Sequence, residues 1–165
     1  MNVLEEIEAI HQLKYRGWPA VAAVMADRMA GIPLPADVRG ETRLVIPVPT
    51  TGARIRERGY NQAAVLAEAV AQRSRRTCLE ALIRGGASSS QTTLQPAARL
   101  ANVAGAFALG PGMARTIADE HVLLVDDVLT TGATVIACTD TLVDAGARCV
   151  SVLTFARATG RIRLE

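Results

Sequence analysis

Residues 122–134, Val-Leu-Leu-Val-Asp-Asp-Val-Leu-Thr-Thr-Gly-Ala-Thr, constrain the chain more than any other stretch. Val122 to Val125 form a four-residue apolar run, too short for a helix and rich in β-branched residues, which reads as a strand buried on both faces. The run stops at two carboxylates, Asp126 and Asp127, and the turn that follows carries Thr130, Thr131, Gly132, Ala133 and Thr134. Its glycine lets backbone N–H groups approach a ligand closely. A helical pattern then begins, with Val135, Ile136, Cys138, Thr139, Leu142 and Val143 spaced to make one apolar face. In an open α/β sheet, a strand, acidic pair and hydroxyl-rich loop in this order put the ligand crevice outside the strand's carboxyl end.

The chemistry of that turn narrows the ligand. A helix N-terminus has unpaired N–H groups and a partial positive charge, and threonine hydroxyls add donors, which together suit a phosphate. Two ionised carboxylates facing the phosphate would repel it. They are better explained as accepting hydrogen bonds from a diol, or as holding a hydrated Mg²⁺, at the other end of the same ligand. A sugar phosphate meets both demands.

At every position the stretch resembles the thirteen-residue ribose-phosphate fingerprint of type I phosphoribosyltransferases. An acidic pair on a solvated turn is the plain alternative, but the whole string rarely arises by chance. The resemblance implies an α/β fold with a central, mostly parallel sheet, helices on both faces and a flexible hood loop. It implies that Asp126 and Asp127, the catalytic pair, bind the ribose hydroxyls of phosphoribosyl pyrophosphate, and that Thr130 to Thr134 wrap its 5′-phosphate. Mg²⁺ is the implied cofactor, bridging pyrophosphate and ribose.

At 165 residues the chain is bounded to one domain, residues 1–165, with an N-terminal helical segment at 1–31 and a mobile loop region at 84–104. Half of the residues are apolar and only 3% aromatic, so the core must be built from Ala, Val, Leu and Ile, as helices on a parallel sheet require. A net charge of +2 does not by itself argue for a nucleic-acid partner. Cys78, Cys138 and Cys149 form no C-x-x-C pair, so neither a zinc ribbon nor a disulfide framework is supported. Glu5, Glu6 and Glu8 stand where a secretion signal would need positive charge, and no apolar stretch approaches a membrane span. A cytoplasmic setting without membrane contact is expected.

Taken in order, residues 3–13 and 19–29 have helical spacing, and 32–41, with Pro33 and Pro35, reads as a connector. A strand is expected at 44–48, its prolines assigning it to an edge or an end. Pro49, Thr50 and Thr51 follow, then Arg54, Arg56 and Arg58. Three arginines at every second position cannot share one side of a helix, so a loop or extended segment is expected, able to clamp pyrophosphate near a sugar-phosphate site. A solvated basic turn is the competing reading. Residues 61–72 read as a helix capped by Asn61, and 78–83 as a strand. The Gly85 to Ser90 run leads into a short helix at 96–103, where Arg99 and Asn102 share a face and could reach a ligand. Gly110 to Gly112 is a turn, His121 an ordinary hydrogen-bonded histidine at the strand entrance, and 149–155 a last strand before a basic tail of Arg157, Arg161 and Arg163.

Further strings carry a narrower resemblance: Lys14-Tyr15-Arg16-Gly17, Pro47-Val48-Pro49, Arg58-Gly59-Tyr60-Asn61-Gln62, Gln91 with Leu94, Arg99 with Asn102, and Phe107. Together they resemble the ComF (competence protein F) family of phosphoribosyltransferase-like proteins. That implies phosphoribosyl pyrophosphate or a nucleotide-like small molecule as partner, with an indirect link to DNA-uptake machinery; a homodimer is left open. Many ComF proteins carry an upstream four-cysteine zinc ribbon that this sequence lacks, and Gly86 and Ser88 replace a basic residue and a threonine. Enzymes salvaging 6-oxopurines carry an aspartate where this chain has Thr130, and a threonine hydroxyl cannot act as that base. Hypoxanthine and guanine are therefore poor acceptors.

Overall fold

The alternation of apolar residues in two strands fixes the architecture. In β1 (Leu44–Pro47) and β5 (His121–Leu129), successive side chains point to opposite faces, and both faces are buried. Val45, Leu123 and Val125 enter one core with Met25, Met29, Leu66 and Val70. Leu44, Ile46, Val122 and Leu124 enter the other with Ile117, Cys138 and Leu142. Such a sheet must be covered on both sides, and it is. Residues 19–85 and 106–158 are described by the computed structural model.

The chain begins with α1 (Pro19–Ala30) and α2 (Ala36–Glu41), runs through β1, then forms α3 (Gly52–Arg58) and α4 (Gln62–Ser74). Two short strands follow, β2 (Thr77–Cys78) and β3 (Leu82–Arg84); then come β4 (Phe107–Leu109), α5 (Ala114–Ile117), β5, α6 (Ala133–Asp144) and β6 (Cys149–Arg157). The main sheet has the order β2-β1-β5-β6 and every pairing in it is parallel. Helices α1 and α4 pack on one face and α6 on the other, while β3 and β4 pair antiparallel in a small sheet of their own. The central parallel sheet with helices on both faces expected from the sequence is therefore observed, while the hood loop expected at 84–104 lies, but for its first two residues, outside the described residues.

Several local expectations are corrected. The 32–41 connector contains α2, which buries Val38 and places Asp37 in its first turn and Arg39 in its last, as the helix dipole favours. The strand expected at 78–83 is two, because the chain leaves the main sheet after Cys78 and pairs with β4 from Leu82. Pro47 lies in an interior strand, at its end. Residues 43 and 45 turn their backbone groups toward β2, so Pro47's missing N–H faces the side where β2 has already finished. On α6 only Val135, Cys138 and Leu142 are buried; Ile136 and Val143 are more than half exposed, so the apolar face is narrower than the spacing suggested. His121 is buried as expected, its Nε2 2.9 Å from the Ser151 hydroxyl. The helices expected at 3–13 and 96–103, the Lys14 to Gly17 and Gln91/Leu94 strings, Arg99, Asn102, Arg161 and Arg163 lie outside the described residues.

Helix α4 starts where the sequence places it. The Asn61 side chain accepts from Ala63 N at 3.2 Å and donates to Val48 O at 3.0 Å, tying the helix start to the end of β1. Replacing Asn61 by alanine removes both bonds. Asn61→Ala is expected to cost about 1–2 kcal/mol in urea unfolding; an unchanged midpoint would show that this tie carries no stability.

Candidate functional site

The crevice opens because neighbouring strands have unequal lengths. Strand β1 pairs with β5 as far as Pro47 and Val125, and Val48 N adds one bond to Val125 O at 2.9 Å. There β1 turns away through Pro49. Strand β5 does not stop at the acidic pair as expected: it runs on to Leu129 beside β6, with Asp126 opposite Thr154 and Leu129 opposite Arg157. Beyond Val125, β5 is flanked on one side by β6 and on the other by a cavity of about 350 Å³. That volume lies at the small end of ligand pockets.

One wall is acidic and hydroxylated, formed by Asp126, Asp127, Val128, Thr130 and Thr134. Each carboxylate is oriented by the next residue's backbone: Asp127 N donates to Asp126 Oδ1 at 2.9 Å and Val128 N to Asp127 Oδ1 at 2.8 Å. Gly132 begins α6 at φ 80°, and a Cβ there would meet nothing closer than 3.9 Å. The backbone conformation, not lack of room, demands glycine. Thr131 Oγ1 accepts from Ala133 N at 3.4 Å, so this hydroxyl is turned to its own loop. Thr131, Gly132 and Ala133 shape the turn, while Thr130 and Thr134 face the cavity.

The lining contributed by the segment after β1 is basic. Pro49, Thr50, Arg54 and Arg58 form it, followed by Asn61, Gln62 and Ala63 at the start of α4. The arginine segment is a helix, α3, not the loop or extended segment expected. Its N-cap is Thr51, whose hydroxyl accepts from Arg54 N at 3.2 Å, and its C-cap is Gly59 at φ 85°. The geometric premise survives the correction. At 3.6 residues per turn, Arg54 and Arg58 share the cavity face and Arg56 does not, so Arg56 is absent from the wall. Thr51 acts on the helix rather than on the cavity. No residue of α3 is buried.

Among the lining residues that were not singled out as site residues from the sequence, Arg84 and Gln62 bear most on the chemistry. Arg84, at the end of β3, projects into the cavity with its guanidinium 5.1 Å from the Phe107 ring centre. Burial first, and then the nearby positive charge of Arg54, lower its pKa from the ordinary arginine value, against the pull of Asp126. Guanidinium groups crowded in this way favour an anion between them. Nothing in the spacing marked Arg84, since it depends on the antiparallel pairing of β3 with β4. Gln62 lies within the Arg-Gly-Tyr-Asn-Gln string but had no assigned role; it is 5% exposed. Behind Asp126, the Cys138 thiol is pushed up to about 12 by burial and then by the Asp126 charge, which keeps it neutral and inert. Among the described residues no group of three or more His, Cys, Asp or Glu could hold a metal, and no helix is long and apolar enough to cross a membrane.

A parallel sheet with this crevice, an acidic pair where its central strand parts from β1 and a threonine-glycine turn leading into a helix is the fold of type I phosphoribosyltransferases. The family model described as phosphoribosyl transferase domain matches residues 20–163, and the chain belongs to that family. The DNA utilization protein YhgH of Salmonella typhi is 30% identical over 156 residues, which cover 87% of this chain and 63% of that protein. The protein of the same name from Escherichia coli O6:H1 is 30% identical over 154 residues, with the same coverage. The chain thus spans 63% of the length of these curated relatives. The structure of glutamine phosphoribosylpyrophosphate (PRPP) amidotransferase from B. subtilis, complexed with ADP and GMP, matches with a TM-score of 0.56 at 18% identity, over 86% of this chain and 29% of that one. That of the allosteric regulatory enzyme of purine biosynthesis matches at 0.53 and 20%, over 87% and 29%. Both likenesses speak to the fold.

The phasing of α3 makes a sharp contrast. Arg54→Ala is expected to weaken binding of inorganic pyrophosphate by about 10-fold or more, the loss of a hydrogen bond to a charged group, whereas Arg56→Ala should change it by no more than about twofold. Titration calorimetry on the two variants checks this; equal losses would mean that α3 does not present one face to the ligand.

Proposed function

We propose that this protein binds phosphoribosyl pyrophosphate in the cavity after β5 and transfers its phosphoribosyl group to a nitrogen acceptor. The observation that carries the reading is the meeting in one cavity of a carboxylate pair with threonines and three guanidinium groups, those of Arg54, Arg58 and Arg84. In this reading Asp126 and Asp127 accept hydrogen bonds from the ribose 2′- and 3′-hydroxyls. Thr130 to Thr134 and the start of α6 take the 5′-phosphate. Pro49 to Thr51, with Arg54, Arg58 and Arg84, hold the pyrophosphate, and Arg99 remains a proposed contributor from outside the described residues.

The reaction forms a bond from the acceptor nitrogen to C1 of the ribose. The C1–oxygen bond breaks, pyrophosphate leaves with the electron pair, and the acceptor loses its proton. Positive charge develops on the ribose as negative charge develops on the leaving group. The two walls match that separation: carboxylates lie beside the sugar and guanidinium groups beside the pyrophosphate. Two carboxylates without a further protein ligand suit Mg²⁺, which commonly takes one or two carboxylates and fills its sphere with phosphate oxygens and water. Asp126 and Asp127 would hold it, and it would offset leaving-group charge. Thr130 leaves the site without a carboxylate base at that point, which argues against 6-oxopurine acceptors.

A second reading is supported by the name of the relatives. Proteins called DNA utilization protein are compatible with a ComF-type accessory role, in which the same cavity binds phosphoribosyl pyrophosphate or a nucleotide without turnover. That role would link the protein to DNA uptake or processing rather than to a salvage reaction.

Release of pyrophosphate from phosphoribosyl pyrophosphate, with Mg²⁺ and a panel of bases and amines, separates the readings. Turnover with one acceptor establishes the transferase; binding without release with any of them favours the accessory role. The double variant Asp126→Asn, Asp127→Asn is expected to abolish calorimetric binding of phosphoribosyl pyrophosphate, with circular dichroism checking that the fold is kept. Asparagine keeps the side-chain oxygen that accepts from the next N–H. Undiminished affinity in that variant would refute the ribose assignment.

A further inference from the structure

Gln62 presents a contradiction that a ligand would resolve. It is the first residue of α4, it lines the cavity, and it is 5% exposed. Its Nε2 is buried and has no hydrogen-bond partner. Leaving a buried amide donor unpaired costs about 1–3 kcal/mol, and cores rarely tolerate it without reason. A methionine or leucine of similar volume would fill the same space without that cost. The residue's neighbours indicate what is missing. Arg58 stands four positions earlier on the same wall, and Gln62 opens a 13-residue helix whose first turn carries N–H groups lacking intrahelical partners. The dipole of that helix directs partial positive charge to the same end. Asn61 fixes this end in place through its bond to Val48 O, so the start of α4 is anchored to the strand that borders the crevice.

We propose that Gln62 is a binding residue for the diphosphate group: its side chain, whose Nε2 is shut off from the cavity in the free protein, turns on binding so that Nε2 donates to a phosphate oxygen, with the N-terminus of α4 behind it. This rests on the reading of the cavity as a phosphoribosyl pyrophosphate site and adds a neutral, directional donor to a clamp otherwise made of guanidinium groups. Gln62 follows the arginine helix in the chain and lies four residues from Arg58, so in this reading it acts on the leaving group and not on the ribose.

The test uses the full chain, Mg²⁺, and two probes, inorganic pyrophosphate and ribose 5-phosphate, by calorimetry, with thermal unfolding measured in the absence of either. Gln62→Met is expected to lower pyrophosphate affinity by about 10-fold or more and to leave ribose 5-phosphate within about twofold. Its ligand-free Tm should equal or exceed that of the parent, because the unpaired donor is gone. Gln62→Glu, nearly isosteric but anionic, should lose more pyrophosphate affinity than Gln62→Met. Unchanged pyrophosphate binding in both variants overturns the proposal, as does an equal loss for the two probes. A lower ligand-free Tm with both affinities intact also overturns it, since that would make Gln62 a structural residue. If the parent binds ribose 5-phosphate but no pyrophosphate, this proposal falls and the sugar-phosphate reading of the cavity stands; if it binds neither, both fall.

Discussion

The hydrogen bond from Val48 N to Val125 O marks the place where two paired strands part, and the candidate site depends on that parting. Up to this point β1 and β5 are locked in parallel register with apolar residues on both faces. Past it, the Val48 carbonyl accepts from the Asn61 side chain and Asp127 N donates to Asp126 Oδ1, so the groups that would continue the ladder are bonded elsewhere and the chain turns outward through Pro49. Strand β5 keeps its other partner, β6, and so carries Asp126 and Asp127 forward on a rigid element rather than on a loose turn. The carboxylates are thereby placed by sheet register. The arginines are placed by the chain that left.

Charge gives the cavity its character. Three guanidinium groups and two carboxylates line a space of about 350 Å³. In a partly desolvated cleft such charges act on one another more strongly than in water. Burial first, and then the Arg54 charge, hold the Arg84 pKa below the ordinary arginine value. A ligand that is anionic at one end and hydroxylated at the other relieves the crowding of charge in the orientation that the walls dictate. The family to which the chain belongs handles ligands of that kind.

The acidic strand and its helix could be recognised in the sequence because both signals are local. Four apolar residues, two aspartates and a glycine that must adopt positive φ follow one another without interruption. The capping role of Asn61 was likewise legible, since a cap and its helix are neighbours. The arginine segment misled because alternation in sequence resembles an extended chain. Yet Thr51 and Gly59 cap a two-turn helix around it, and the alternation becomes a division of labour between Arg56 and the pair that flanks it. Arg84 and Gln62 escaped for another reason: the β3–β4 pairing and the burial of the α4 terminus are tertiary facts, and no spacing rule encodes them. The exposed Ile136 and Val143 show the same limit, since a helix can carry more apolar residues than its neighbours cover.

The absence of any buried residue in α3 has a consequence of its own. Two cavity-facing guanidinium groups ride on a segment with no stake in either core, secured by a hydroxyl at one end and a glycine at the other. Local opening of such a segment needs far less free energy than global unfolding. The cationic wall can therefore loosen and re-form while the sheet and the aspartates stay put. In the proposed reading, capture and release of an anion would then be a local affair, decoupled from the integrity of the domain.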